Sequence, residues 1–113
     1  MSGITTHVLD VARGRPAAGV PVTLEIENAG GWELLGTGTT NADGRITDLL
    51  GSQATVAAGV YRLTFDTAAY FAANNQGSFY PQVTVVFMIE DPTQHYHVPL
   101  LLSPFGYSTY RGS

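Results

Sequence analysis

Apolar and polar residues alternate along several short segments of this chain, and breaks rich in Gly or Pro separate those segments. In the clearest segment, every second residue from Val20 to Ile26 is apolar, and a proline or a polar residue lies between each pair. Successive side chains of a strand point to opposite faces, so this spacing predicts one buried face and one solvated face. About eight such segments predict an all-β fold, a small sandwich.

The other expected elements follow from the same pattern and its interruptions. Residues 66–75 favour one short helix, because Asp66 or Thr67 can cap its start, alanines follow, and polar residues with a Gly end it. The Gly and Pro content of the loop 13–19 favours turns over strand pairing. Further strands are expected at residues 5–10, 32–40, 45–48, 60–65, 81–90 and 95–102.

The strand expected at residues 81–90 is apolar on both faces. Val83 and Val85 would point one way, and Val86 and Met88 the other. A strand of this kind, late in a small sandwich, is more typical of an interface between subunits than of a solvent-facing edge. We therefore expect an oligomer that buries this strand.

Composition limits the cellular location and the binding partners that we expect for this protein. The 113 residues are enough for one domain, residues 1–113, whose core needs no disulfide or structural metal. The chain has no Cys, which fits a reducing compartment, and no apolar run as long as a membrane span. Nothing at the amino end resembles an export signal, so we expect a cytoplasmic protein without a membrane partner. The net charge of −4, with nine acidic and five basic residues, predicts no nucleic-acid partner.

Strand parity makes predictions for the ionisable residues. In the segment 95–102 every second residue from Tyr96 onwards is apolar, so His95 and His97 should face away from the core. After the turn at residues 41–44, Ile46 is the natural inward residue, which turns Arg45 outward. The parity of the first strand leaves the orientation of His7 open, because both of its faces are mixed. If these strands share a sheet, their outward side chains and the carboxy-terminal end converge.

Several motifs together resemble a known family. The ending Tyr110-Arg111-Gly112-Ser113, the early His7-Val8-Leu9-Asp10, the Gly14-Arg15-Pro16-Ala17 loop and Asp43-Gly44-Arg45 resemble the 5-hydroxyisourate hydrolases, the enzyme branch of the transthyretin-related proteins. The resemblance covers essentially the whole chain. The Tyr-Arg-Gly-Ser ending is its most specific part, because it separates these hydrolases from transthyretin, which binds thyroid hormone.

The resemblance implies a fold, an assembly and an activity. The fold is a transthyretin-like sandwich of two four-stranded sheets with one short helix, and the assembly is a homotetramer, a dimer of dimers with its sites at the dimer–dimer interface. The activity is hydrolysis of 5-hydroxyisourate to 2-oxo-4-hydroxy-4-carboxy-5-ureidoimidazoline in urate degradation, with no metal and no organic cofactor. The implied catalytic residues are His7, Arg45, His97 and Ser113, and the implied substrate-binding residues are His7, Arg45, Tyr110 and Arg111.

These residue types suit the implied chemistry. Opening a cyclic acyl C–N bond needs an activated water, a proton for the departing nitrogen, and donors for the oxyanion. Imidazoles exchange protons near neutral pH, and the Arg45 guanidinium can hold two oxygens of a planar ring without titrating. We favour His7 as the group that activates water and His97 as the one that polarises or protonates, although the sequence leaves the choice of base open.

Three alternatives remain at the level of the sequence. His95 and His97 have the spacing of two zinc ligands on one strand face, with His7 as a possible third, but no fourth ligand is evident. Otherwise His95 is expected to be a supporting or simply exposed residue. Two other functional hypotheses remain. One is a transthyretin-like carrier without catalysis, and the other is a structural sandwich domain that does not use its terminal motif.

Overall fold

The computed structural model describes residues 3–50 and 56–113 of the chain. This part contains nine strands and one helix. The predicted all-β sandwich with one short helix is confirmed. The strands are β1 (Gly3–Asp10), β2 (Arg15–Pro16), β3 (Pro21–Asn28), β4 (Gly31–Thr39), β5 (Arg45–Ile46), β6 (Gly59–Phe65), β7 (Val83–Ile89), β8 (His95–Ser103) and β9 (Gly106–Thr109), and the helix is α1 (Thr67–Ala73).

One sheet is antiparallel throughout, with the strand order β4-β3-β6-β7. Its inner face carries the alternating apolar residues of the sequence: Val22 and Leu24 on β3 and Leu63 and Phe65 on β6 are all buried. The polar residues between them point outward, as the period of two predicts.

The other sheet has the order β2-β1-β8-β9, and β5 also pairs with β1. Strands β1 and β8 run parallel in its centre, with Gly3 opposite His95 and Asp10 opposite Leu102. The short strands β2 and β5 pair with different parts of β1, so together they fill one position beside it. The expectation that the loop 13–19 only turns was wrong for Arg15–Pro16, because an edge position tolerates a proline that cannot donate a hydrogen bond.

The helix is attached to both sheets. Asp66 caps its first turn by accepting a hydrogen bond from the Ala69 N–H at 3.0 Å, as the sequence predicts. Tyr70 is buried, and its hydroxyl donates to Oδ2 of Asp10 at 2.6 Å, a carboxylate that is only 1% exposed. Burial first, and the Asp10 carboxylate next, raise the pKa of Tyr70 to about 12. This pair fastens the helix to the end of β1.

Strand β7 lies at an edge of its sheet and has two apolar faces, as predicted. Val83, Val85 and Ile89 are buried against the core, whereas Val86 and Met88 are 58% and 60% exposed. None of the described helices is long and apolar enough to cross a membrane.

Candidate active site

The register of the central strands brings the predicted site residues together. Thr6 and Val8 of β1 are buried, so His7 between them points outward, which answers the parity question that the sequence left open. His7 lies opposite Arg45 in the antiparallel pairing of β1 with β5. His97 lies opposite Thr5 in the parallel pairing of β1 with β8. All of these side chains therefore occupy the outer face of one sheet.

The carboxy-terminal end lies along the same face. After β9, the backbone N–H of Gly112 donates to the carbonyl oxygen of His97 at 2.8 Å and forms an isolated bridge with that residue. The Thr109 hydroxyl donates to the carbonyl of Pro99 at 2.7 Å, which holds the end of β9 on β8. The two contacts fix the terminal residues beside His97.

These elements line an open cavity of about 680 Å³. Five of the six predicted site residues line it: His7, Arg45, His97, Tyr110 and Ser113. The centroids of the His7 and His97 rings are 6.5 Å apart, and their planes make an angle of 32°. This separation leaves room for a small planar molecule or a water molecule to contact both imidazoles.

The electrostatics of the cavity keep one imidazole neutral. His97 is half-buried, and burial, followed by the neighbouring charges of Arg45, His7 and His95, lowers its pKa. A histidine whose pKa lies below ~6.5 is mostly uncharged at neutral pH. Within the described residues Arg45 makes no ion pair. The site therefore offers a neutral imidazole beside a guanidinium whose charge is available to a ligand.

Arg111 is the predicted site residue that does not line the cavity. Its guanidinium carbon lies 4.4 Å from the centroid of the Tyr96 ring, and its Nη2 donates to Oε1 of Gln94 at 2.8 Å. In this structure Arg111 thus contacts the beginning of β8 rather than the cavity. Binding of substrate by Arg111 stays a prediction.

Sequence reasoning missed two residues that contact the site histidines. The Thr5 hydroxyl lies 2.9 Å from Nε2 of His95 and 2.8 Å from Nδ1 of His97. Gly112 packs so closely that a Cβ atom there would lie 2.6 Å from Cδ2 of His97, so any other residue type would require the ring or the terminal segment to shift. Thr5 could have been found, since it shares the strand face of His7, whereas the close approach of Gly112 is visible only in three dimensions.

Thr6, Thr47 and His95 also line the cavity. The three histidines do not form a metal site in the described residues, where no group of three or more His, Cys, Asp or Glu side chains could hold a metal ion.

A family model described as the HIUase/Transthyretin family matches residues 4–112. The chain belongs to this family. The family resemblance seen in the sequence motifs is confirmed, and so is the transthyretin-like sandwich of two four-stranded sheets, in which β2 and β5 share one position.

Curated and solved relatives fall on both branches of the family. The chain is 50% identical to "5-hydroxyisourate hydrolase" of Halalkalibacterium halodurans, with all of both chains covered. It is 42% identical to the solved 5-hydroxyisourate hydrolase of Klebsiella pneumoniae, with a TM-score of 0.87 and all of both chains covered. Sea bream transthyretin in complex with thyroxine has a TM-score of 0.89 at 38% identity and covers 96% of this chain and 93% of its own. The backbone alone therefore does not distinguish a hydrolase from a hormone carrier.

Proposed function

We propose that this protein hydrolyses 5-hydroxyisourate to 2-oxo-4-hydroxy-4-carboxy-5-ureidoimidazoline in urate degradation. The observation that carries the proposal is the convergence of two imidazoles, a guanidinium and Ser113 on one cavity of about 680 Å³. Relatives from several organisms at about half identity bear the name of this hydrolase, including those of Mus musculus and Salmonella typhimurium. Residues 1–113 are proposed to form one transthyretin-like hydrolase domain.

Each residue of the cavity has its own role in the proposed reaction. His7 removes a proton from water as it adds to the ring acyl carbon, and Arg45 binds the oxyanion that forms there. The C–N bond then breaks as the protonated His7 returns that proton to the departing nitrogen, while His97 polarises the carbonyl through its ring N–H. Tyr110 and Ser113 shape the cavity and orient water or substrate. Arg111 supports the terminal segment through Tyr96, and no step uses a metal or an organic cofactor.

The low pKa of His97 supports this division. Burial and the charge of Arg45 lower the pKa of His97, so at neutral pH it acts as a neutral hydrogen-bond donor rather than as a fixed cation. Arg45 then supplies the permanent positive charge that a developing oxyanion requires.

A homotetramer with sites at the interface between its dimers is part of the proposal. Two features support it. Strand β7 is an edge strand with the exposed apolar residues Val86 and Met88. The cavity lies on the outer face of the other sheet, which also carries the half-buried residues Leu9 and Leu101. Light scattering after size exclusion should give a mass four times that of the 12.0 kDa chain. A monomer mass would contradict the assembly without touching the chemistry. The cytoplasmic location stays a prediction from the sequence.

The decisive experiment follows freshly generated substrate. Urate and urate oxidase produce 5-hydroxyisourate, and its absorbance decays slowly without a catalyst. We expect the purified protein at nanomolar to micromolar concentration to accelerate that decay in proportion to its amount. An unchanged decay, together with saturable binding of thyroxine, would replace the hydrolase by a carrier of the kind found in sea bream transthyretin.

A further inference from the structure

One hydroxyl group lies between two of the three histidines. Oγ1 of Thr5 is 2.9 Å from Nε2 of His95 and 2.8 Å from Nδ1 of His97. The parallel register of β1 and β8 places Thr5 directly beside His97, with His95 one outward position earlier on the same strand. The arrangement is therefore fixed by the backbone pairing of two central strands rather than by a flexible loop.

The number of protons restricts how these groups can bond. A threonine hydroxyl carries one proton, so it donates to one imidazole and accepts from the other. If Thr5 donates to His97, then Nδ1 of His97 is unprotonated, the proton of the neutral ring is on Nε2, and His95 donates through its own Nε2. In the reverse arrangement His97 carries its proton on Nδ1, and His95 loses its bond to Thr5 whenever Nε2 of His95 is protonated.

Exposure and charge favour the first arrangement. His95 is exposed to solvent, and in the first arrangement its Nε2 donates to Thr5 whether or not Nδ1 of the same ring also carries a proton. His97 must be neutral in that arrangement, and burial together with the charges of Arg45, His7 and His95 lowers the pKa of His97 accordingly. Nε2 of His97 makes no hydrogen bond to another described residue, so it is the nitrogen left for a ligand.

We propose that Thr5 is a positioning residue that holds His97 as the neutral tautomer with its proton on Nε2, and that His95 supports this state through the Thr5 hydroxyl. His97 then presents an N–H donor to the cavity and has no free lone pair for activating water. The role of base consequently falls to His7, the other imidazole of the cavity. This assignment of roles rests on the proposed hydrolysis, whereas the tautomer itself can be observed without any substrate.

Nitrogen-15 NMR of the histidine rings tests the tautomer directly. At a pH about one unit above the ordinary histidine pKa of ~6.5, we expect Nε2 of His97 to resonate as the protonated nitrogen and Nδ1 as the unprotonated one. In Thr5→Val, which keeps the branched shape of the side chain and removes the hydroxyl, the two shifts should move towards the averaged values of a freely exchanging imidazole. A wild-type His97 protonated on Nδ1, or identical spectra in both proteins, would overturn the proposal.

Kinetics test whether the hydroxyl matters for turnover. We expect Thr5→Val to lower kcat about tenfold or more, with KM changed less than twofold, because the variant loses the orientation of a hydrogen-bond donor that acts in the transition state. Thr5→Ser keeps a hydroxyl and should restore most of the rate. Thr23→Val is the matched control, because Thr23 is a half-buried threonine on the outer face of the other sheet. Equal rates in Thr5→Val, Thr5→Ser and wild type would show that the hydroxyl has no positioning role.

A double-mutant cycle tests the link to His95. His95→Ala alone should lower kcat less than Thr5→Val does, and most of this effect should be absent in the Thr5→Val background, because only the direct electrostatic effect of His95 on His97 is left when the hydroxyl is missing. Multiplicative effects of the two substitutions would mean that His95 acts independently and would remove it from the proposal. A wild-type protein without any hydrolase activity would refute the proposed function, yet the NMR result would still decide the tautomer.

Discussion

Each of the two sheets carries an arginine on its outer face, but only one of the two arginines has its charge compensated by a carboxylate. On the β4-β3-β6-β7 sheet, Nε of Arg62 donates to Oε1 of Glu25 at 2.6 Å, and the guanidinium carbon lies 4.3 Å from the centroid of the Trp32 ring. On the other sheet, Arg45 borders a cavity with two histidines and makes no ion pair within the described residues. One face satisfies its cation internally, and the other keeps it available for a ligand.

The difference comes from strand register. Glu25 is the direct partner of Arg62 in the pairing of β3 with β6, so a carboxylate lies opposite the cation and neutralises it. The direct partner of Arg45 is His7, an imidazole that cannot neutralise it. A charge that the fold leaves uncompensated on a concave face is a better indicator of a binding site than the presence of an arginine alone.

Separate alanine substitutions of the two arginines test the difference between the two faces, and the substitution of Arg45 has the largest expected effect. Arg45→Ala should lower kcat/KM by about 100- to 1,000-fold, because it removes the donor to the oxyanion. Arg62→Ala should leave kcat/KM unchanged. Initial rates of 5-hydroxyisourate decay measure both variants, with circular dichroism as the check on folding. Equal losses in the two variants would mean that the faces do not differ in function.

Alanine substitution at Gly112 is expected to have the next largest effect. Gly112→Ala pushes a methyl group to 2.6 Å from the His97 ring, so the ring or the terminal segment must shift. A displacement of about 1 Å in a catalytic group costs on the order of 100-fold in rate, so we expect a loss of about 10- to 100-fold. Gly77→Ala is the control, because a Cβ there meets nothing within 4 Å. Full activity of Gly112→Ala would separate the terminal segment from the positioning of His97.

Residues added after Ser113 should impair the same face more mildly. Ser113 lines the cavity, and Gly112 is bonded to the His97 backbone, so extra residues must leave through the cavity. We expect about a tenfold lower kcat/KM for a short carboxy-terminal tag, and a smaller change for the same tag placed ahead of β1. Comparison of the two tagged proteins in one decay assay tests this expectation, and equal activities would contradict it.

The smallest expected effect concerns the titration of His97. Its pKa lies below the unfolded value of ~6.5, so between those two values the unfolded chain binds the proton more readily than the folded one. The contribution of His97 to the free energy of unfolding is therefore absent above pH ~6.5 and becomes destabilising as the pH falls below it. Arg45→Ala removes one cause of the shift, so the pKa of His97 measured by NMR should rise. An unchanged or lower pKa in that variant would contradict the coupling of Arg45 to His97.

The sequence predicts most of the strands and the outward orientation of the key side chains. The strand expected at residues 81–90 is Val83–Ile89, and His95, His97 and Arg45 point away from the core as parity requires. Periodicity identifies strands and faces but does not say which strands are neighbours. The parallel pairing of β1 with β8, on which the whole site depends, is therefore information that only the structure provides.

Thr6 and Arg111 show why the sequence did not predict the other features of the site. Thr6 made the first strand ambiguous because a polar residue occupies an inward position, where its hydroxyl donates to the carbonyl of Val98 at 2.6 Å and so compensates its burial. Arg111 belongs to the most specific motif of the sequence, yet its guanidinium packs on Tyr96, a contact that depends on how the chain turns after β9. Both cases depend on tertiary partners that no local pattern contains.

The bond between Thr5 and His97 joins residues that are 92 positions apart in the chain. Closing so long a loop costs conformational entropy before any contact compensates for it, and folds rich in such pairings fold slowly. The cavity consequently exists only after both ends of the chain have met, and no partly folded form with either end detached possesses it. During refolding, recovery of activity should therefore not precede the pairing of β1 with β8, which makes turnover a reporter of that pairing.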